Sequence, residues 1–135
     1  MNQLIMSMIS RGLVCPYCMR KSEYINSAEV YGTDYGNLYI CRPCKAWVGV
    51  HHGTSRVALG RLANEELRKL KRLAHKNFDQ LWKKKVANGM SQYEARTLGY
   101  RWLSGQMGTP IELTHIGMFD EKQCKKVIQI CEKYL

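Results

Sequence analysis

At 135 residues the chain has room for one ordinary domain or two small modules, and not for a multidomain enzyme. Hydrophobic residues make up 45% of it and charged residues 24%, the content of a chain that folds rather than of a disordered tail. Twenty-one Lys and Arg against eleven Asp and Glu leave +10 at pH 7, so the long-range field attracts polyanions: DNA, RNA or an acidic protein surface.

The opening run Leu4, Ile5, Met6, Met8 and Ile9 is too short to span a bilayer, and it has neither a basic start nor a small-residue cleavage site. Residues 1–14 therefore read as an N-terminal extension, and the protein is expected to be cytoplasmic, with no membrane segment. In that compartment the cysteines are reduced ligands or core residues before they are disulfides. Glu23 to Tyr31 and Leu38 to Cys41 read as strands around the turn-rich Gly32-Thr33-Asp34-Tyr35-Gly36-Asn37, and Ala46 to His51 as a third strand. Such an antiparallel ribbon is too small to bury a core sufficient for its own stability, so a staple is expected.

Near residues 53–60 the Tyr- and Gly-rich composition gives way to Leu, Lys and Arg at helical spacing, dividing a β-type module at 15–58 from a helical one at 59–135. Asn64 offers a cap for a helix starting at Glu65-Glu66, with Leu67, Leu70, Ala74, Phe78 and Leu81 on one stripe and an end near Lys85, before Asn88-Gly89. Ser91 with Glu94 forms a capping-box pattern for a second helix, which carries Tyr93, Leu98, Trp102 and Leu103 and stops around Gly105 to Pro110. Asp120 with Gln123 starts a third, whose apolar face is Cys124, Val127, Ile128, Cys131 and Tyr134.

Cys15-Pro16-Tyr17-Cys18 and Cys41-Arg42-Pro43-Cys44 are two CxxC pairs separated by 22 residues. A two-residue gap turns both sulfurs of a knuckle onto one metal, and the long spacer brings the second knuckle alongside through a hairpin, so the natural product is one tetrahedral Zn(Cys)4 site. Four thiolates leave no position for water or substrate, which makes the site structural; with them the net charge becomes about +8. A redox dithiol, a pair of disulfides and an iron centre are the alternatives. Cys124 and Cys131, about 10 Å apart along a helix, are too far apart to bridge and read as buried apolar residues. His51 and His52 follow the third strand, where they end it and face solvent.

From Arg61 to Lys85 nine Lys or Arg face three acidic residues. Arg68, Lys69, Arg72 and Lys76 lie opposite the apolar stripe, and Lys83, Lys84 and Lys85 cluster at the helix end. Such a face neutralises phosphates and binds in a salt-dependent way, although a cationic face is also simply a solvated one. Arg42, Lys45 and Arg56 add contacts along the ribbon edge, and Tyr35, Tyr39 or Trp47 offer rings to unpaired bases. There is no Gly-rich phosphate loop, no HExxH and no nucleophile elbow, so no enzymatic centre is expected. His115 reads as a loop residue, and Asp120 is explained as a cap.

The segments CPYC at 15–18, VYGTDYG at 30–36, ICRPCKAWVGVHHGT at 40–54, LGRLANEELRKLKRLAHKNFDQLW at 59–82 and HIGMFDEKQC at 115–124 resemble a family of phage and bacterial proteins described as a zinc-finger-containing domain of unknown function. The resemblance implies that Cys15, Cys18, Cys41 and Cys44 are the zinc ligands, and that ribbon and helices form one unit joined at the GRLAN segment. The expectation is an α+β protein, an N-terminal four-cysteine zinc ribbon of three antiparallel strands packed against a C-terminal three-helix part. Its expected role is binding DNA or RNA through the cationic helix face and ribbon edge. The alternative is a phage-type interaction factor that modulates a host enzyme or defence complex.

Overall fold

The computed structural model describes residues 2–52 and 56–135. The start of the compositional change, residues 53–55, lies outside the described residues. The chain is α+β, and its backbone divides it into two compact units, one running to Glu66 and the other from Leu67.

The first unit opens with a helix that the apolar run alone did not announce, α1 (Gln3–Ser10). Its start is capped by the Asn2 side chain, which accepts from the Ile5 N–H at 2.9 Å. A three-stranded antiparallel sheet follows in the order β1 (Glu23–Asn26), β2 (Asn37–Cys41), β3 (Ala46–Gly49), with Glu23 opposite Ile40 and Cys41 opposite Ala46.

The expected first strand is cut short. At Asn26 the side chain turns back to accept from the Ala28 N–H at 2.8 Å, and the backbone enters a one-turn helix, α2 (Ala28–Tyr31). Asn and Ser here compete for backbone partners and break the ladder. The third strand is shorter too, ending at Gly49, beyond which Val50 bridges to Ala58.

Segment 56–66 belongs with the ribbon because it lies along β3: Ala63 bridges to Trp47, exchanging two backbone hydrogen bonds of 3.0 and 3.1 Å. The residues leading out of α1 close onto the same sheet. A Cβ at Gly12, whose φ is +78°, would lie 3.0 Å from Ala58 Cβ and 3.3 Å from the Tyr39 ring.

The second unit holds α3 (Glu65–Ala87, starting in the last residues of the first unit), α4 (Gln92–Met107), two 3-10 turns at Ile111–Leu113 and Ile116–Met118, and α5 (Glu121–Glu132). Ser91 accepts from the Glu94 N–H at the start of α4, and Asp120 and Gln123 form a complete capping box at α5. Phe78, Leu103, Ile116, Phe119, Cys124, Val127 and Cys131 form its buried interior. On α4, however, Tyr93 is 81% exposed and Leu98 is 42% exposed, so the apolar residues of this helix do not all turn inward. No helix of the described residues is long and apolar enough to cross a membrane.

Candidate metal centre

The two knuckles are made by two different turns. In the first, Val14 and Lys21 bridge across a small loop, the Cys15 N–H donates to the Arg20 carbonyl at 2.9 Å, and the Met19 N–H returns to the Cys15 carbonyl at 2.8 Å. The second is the β2–β3 connection itself: Cys41 ends β2, Ala46 opens β3, and the Lys45 N–H donates to the Arg42 carbonyl at 3.2 Å. In each loop the residue after the second cysteine has a left-handed backbone, φ 64° at Met19 and 51° at Lys45. That conformation turns the chain sharply enough to set both sulfurs of a knuckle on one side, and neither residue is the glycine that adopts it without strain.

The ribbon then brings the knuckles together. The sulfurs of Cys15, Cys18, Cys41 and Cys44 all lie within 4.8 Å of one another, and Cys18 and Cys41 are 3.6 Å apart. Four sulfurs at a Zn–S distance of about 2.3 Å form a tetrahedron with edges of about 3.8 Å, the scale of this cluster. None of the four is in a disulfide.

The electrostatics point the same way. A backbone hydrogen bond at Arg20 holds the Cys18 thiol down at about 7, whereas burial and then the neighbouring sulfurs push Cys44 up to about 12, and burial raises Cys41. Without a counter-charge, burial therefore opposes thiolates at Cys41 and Cys44. A divalent cation removes that conflict, and the soft all-sulfur donor set suits zinc. The four cysteines form a single zinc site, with every ligand position filled by protein.

The surroundings serve the knuckles. Tyr17, inside the first, accepts the Asn64 N–H on its phenol oxygen at 3.2 Å. Arg42, inside the second, pairs with Glu23 at 2.9 Å and Glu29 at 3.3 Å, which raise its pKa further. Arg42 thus has two acidic neighbours within the ribbon while its side chain stays half exposed. Lys45 is exposed, and the Arg56 guanidinium lies 4.5 Å above the Tyr24 ring.

The expectation for Tyr39 is corrected: it is 5% exposed with its hydroxyl donating to the Arg56 carbonyl, so its ring is closed to any base. Trp47 is half-buried, donating from Nε1 to the Tyr31 hydroxyl at 2.7 Å, while Tyr35 stands 70% exposed beside Tyr31. His51, His52 and His115 are exposed. Cys124 and Cys131 are fully buried, and burial lifts both thiols to about 11, as inert core residues require.

On α3 the cations sort into faces. Lys69, Arg72, Lys76 and Lys83 share one exposed face, since they follow one another at three, four and seven residues, and Lys84, next to Lys83, is exposed about 100° round the helix from it. Arg68 is half-buried at its margin, and Lys85 lies on another side of the helix, lining a cleft against α4. Lys71 is half-buried and donates to the Gly117 carbonyl at 2.6 Å. Sequence reasoning missed the cleft, although Leu98 and Trp102, large apolar residues four apart on α4, were its signal.

No curated protein and no solved structure matches this chain. A family model does, over residues 11–134, which include both CxxC knuckles and all three long helices. The chain belongs to the family of the zinc-finger-containing domain.

Proposed function

We propose that this protein binds nucleic acid in the cytoplasm and catalyses no reaction, the zinc serving only to hold the ribbon in shape. The observation that carries this reading is the exposed row Lys69, Arg72, Lys76 and Lys83 on α3, with Lys84 exposed beside its end. Two acidic residues share that spacing: Asp79 is half-buried and occupied as the acceptor of Trp82 Nε1–H at 2.8 Å, and Glu65 lies four residues before Lys69. The fourteen helical steps from Lys69 to Lys83 extend about 21 Å at ~1.5 Å per residue, the length of roughly six phosphates of one strand. Glu65 and Glu66, which would repel phosphate, stand at the N-terminal end of the helix, where its dipole favours them. Lys45 and Arg56 add exposed charge on the ribbon. Affinity of this kind is directed at the backbone of the ligand and arises from displaced counterions.

A gel-shift titration across a salt series tests the proposal. Binding to a DNA or RNA of about 20 nucleotides should weaken steeply with salt. Replacing Lys69, Arg72, Lys76 and Lys83 by Gln should lower the slope of log K against log salt by about 3. No binding to any DNA or RNA at low salt would reject it.

One observation favours a second reading. Leu73, in the middle of the cationic row, is 43% exposed. An apolar anchor ringed by lysines also suits an acidic protein surface, as a phage-type factor acting on a host complex would need. A defined protein retained by the purified chain from nuclease-treated host extract, and released by the Leu73→Glu substitution, would support that reading.

A further inference from the structure

Between α3 and α4 lies an open, largely apolar cleft of about 290 Å³, walled by Phe78, Leu81, Trp82, Leu98, Trp102 and Tyr134. Gly99 also lines it. A Cβ there would come within 3.1 Å of the Phe78 ring and 3.5 Å of Trp82 Cβ, so the missing side chain lets the two helices approach and leaves the remaining space to the aromatic residues above. Trp82 forms the floor, with its Nε1 satisfied by Asp79. Trp102 and Tyr134 stand edge to face, centroids 5.4 Å apart, and Tyr134 is 53% exposed.

The rim is cationic. Lys85 lines the cleft, Lys84 donates from Nζ to the Tyr134 carbonyl at 3.1 Å, and the Arg96 guanidinium lies 5.8 Å from the Trp82 ring. Lys84 stands on α3 between this rim and Lys83, the last cation of the exposed row on the other side of the helix. Positive charge thus surrounds a cleft whose accessible rings are Trp102, half-buried, and Tyr134, whereas Phe78 and Trp82, 1% and 7% exposed, form its buried wall. That combination is what a single strand requires, because its phosphates follow the charges while its unstacked bases seek rings. A duplex keeps its bases paired within the helix and has no ring face to offer such a cleft. An acidic peptide would match the charge, but it would leave the ring faces without planar partners.

We propose that the α3–α4 cleft receives unpaired bases, so that the ligand is single-stranded nucleic acid; this rests on the nucleic-acid reading above and specifies it. The volume is near the lower end of ligand pockets, roughly 300 Å³, enough for one or two bases. Each stacked base contributes a factor of about 5 to 150 in affinity, equivalent to roughly 1–3 kcal/mol.

The test compares a single-stranded oligothymidylate of about 12 nucleotides with a duplex of the same length and with poly-Glu of equal charge, using the full-length zinc-loaded protein and reading both affinity and tryptophan fluorescence. The expected result is tighter binding of the oligothymidylate than of the duplex, with quenched fluorescence. Tyr134→Ala and Trp102→Ala should each weaken oligothymidylate binding at least about 5-fold while leaving duplex binding unchanged. Tyr134 is more than half exposed, so its variant keeps the test valid if Trp102→Ala fails to fold. Equal affinity for duplex and single strand, with no effect of Tyr134→Ala, would overturn the cleft assignment and leave general nucleic-acid binding standing. Failure of both DNAs to bind would instead reject the broader reading. A quench by poly-Glu equal to that by the oligothymidylate would assign the cleft to acidic protein and overturn the proposal.

Discussion

The left-handed backbones at Met19 and Lys45 show how little freedom the metal centre leaves its loops. Each follows the second cysteine of a knuckle, and each is a residue with a Cβ where glycine would be relaxed. Replacing Lys45 by Gly relieves that strain at some cost in chain entropy, and should stabilise the zinc-loaded protein by about 0.5–1 kcal/mol. Lys45→Val should destabilise it by a similar amount or more, and thermal unfolding of the two variants checks both signs. At this scale the ligands were legible, because the chemistry of a tetrathiolate fixes residue type and spacing together. The ion pairs of Arg42 and the burial of Tyr39 were not. Glu23 and Glu29 meet Arg42 only after the ribbon folds, and β2 is buried from Leu38 to Cys41 without the period-two alternation that would have shown one exposed face.

At the scale of the elements, the helices that carry their own caps were readable in advance, and those that depend on a single turn were not. Ser91 with Glu94 and Asp120 with Gln123 name the starts of α4 and α5 through side-chain oxygens that accept orphan backbone N–H groups. Asp120→Ala removes one half of the α5 box and should cost about 1 kcal/mol, measurable as a lower urea midpoint with unchanged slope. α1 was not legible because its apolar run is short, and its clearest start signal is the single Asn2 cap. α2 was hidden inside a β-favouring run, where the signal was the pair Asn26-Ser27: Ser27 is buried, and its hydroxyl accepts from the Tyr35 N–H at 2.7 Å. Local side-chain hydrogen bonds of this kind override strand propensity, and propensity alone cannot count them.

For the molecule as a whole, the two units differ in what holds them together. The buried cluster of the ribbon is Cys15, Tyr39, Cys41, Ala46, Val48 and Leu62, so two zinc ligands are part of the core itself. The helical unit buries Phe78, Leu103, Ile116, Phe119 and Val127 without using a metal. Chelation of zinc should therefore open the ribbon to proteolysis before Glu66 while most of the helical circular-dichroism signal persists. A simultaneous collapse of both would mean that the helices depend on the metal as well. The change of composition near residue 53 marks this difference, but the structural division falls at Glu66 because the segment before it is bound to β3. All of this rests on four thiolates closing around one ion, and elemental analysis of the purified protein tests that most directly. The account predicts one zinc per chain, lost in Cys44→Ala and retained in Cys124→Ala; protein without bound zinc, or zinc that survives the loss of Cys44 undiminished, would contradict it.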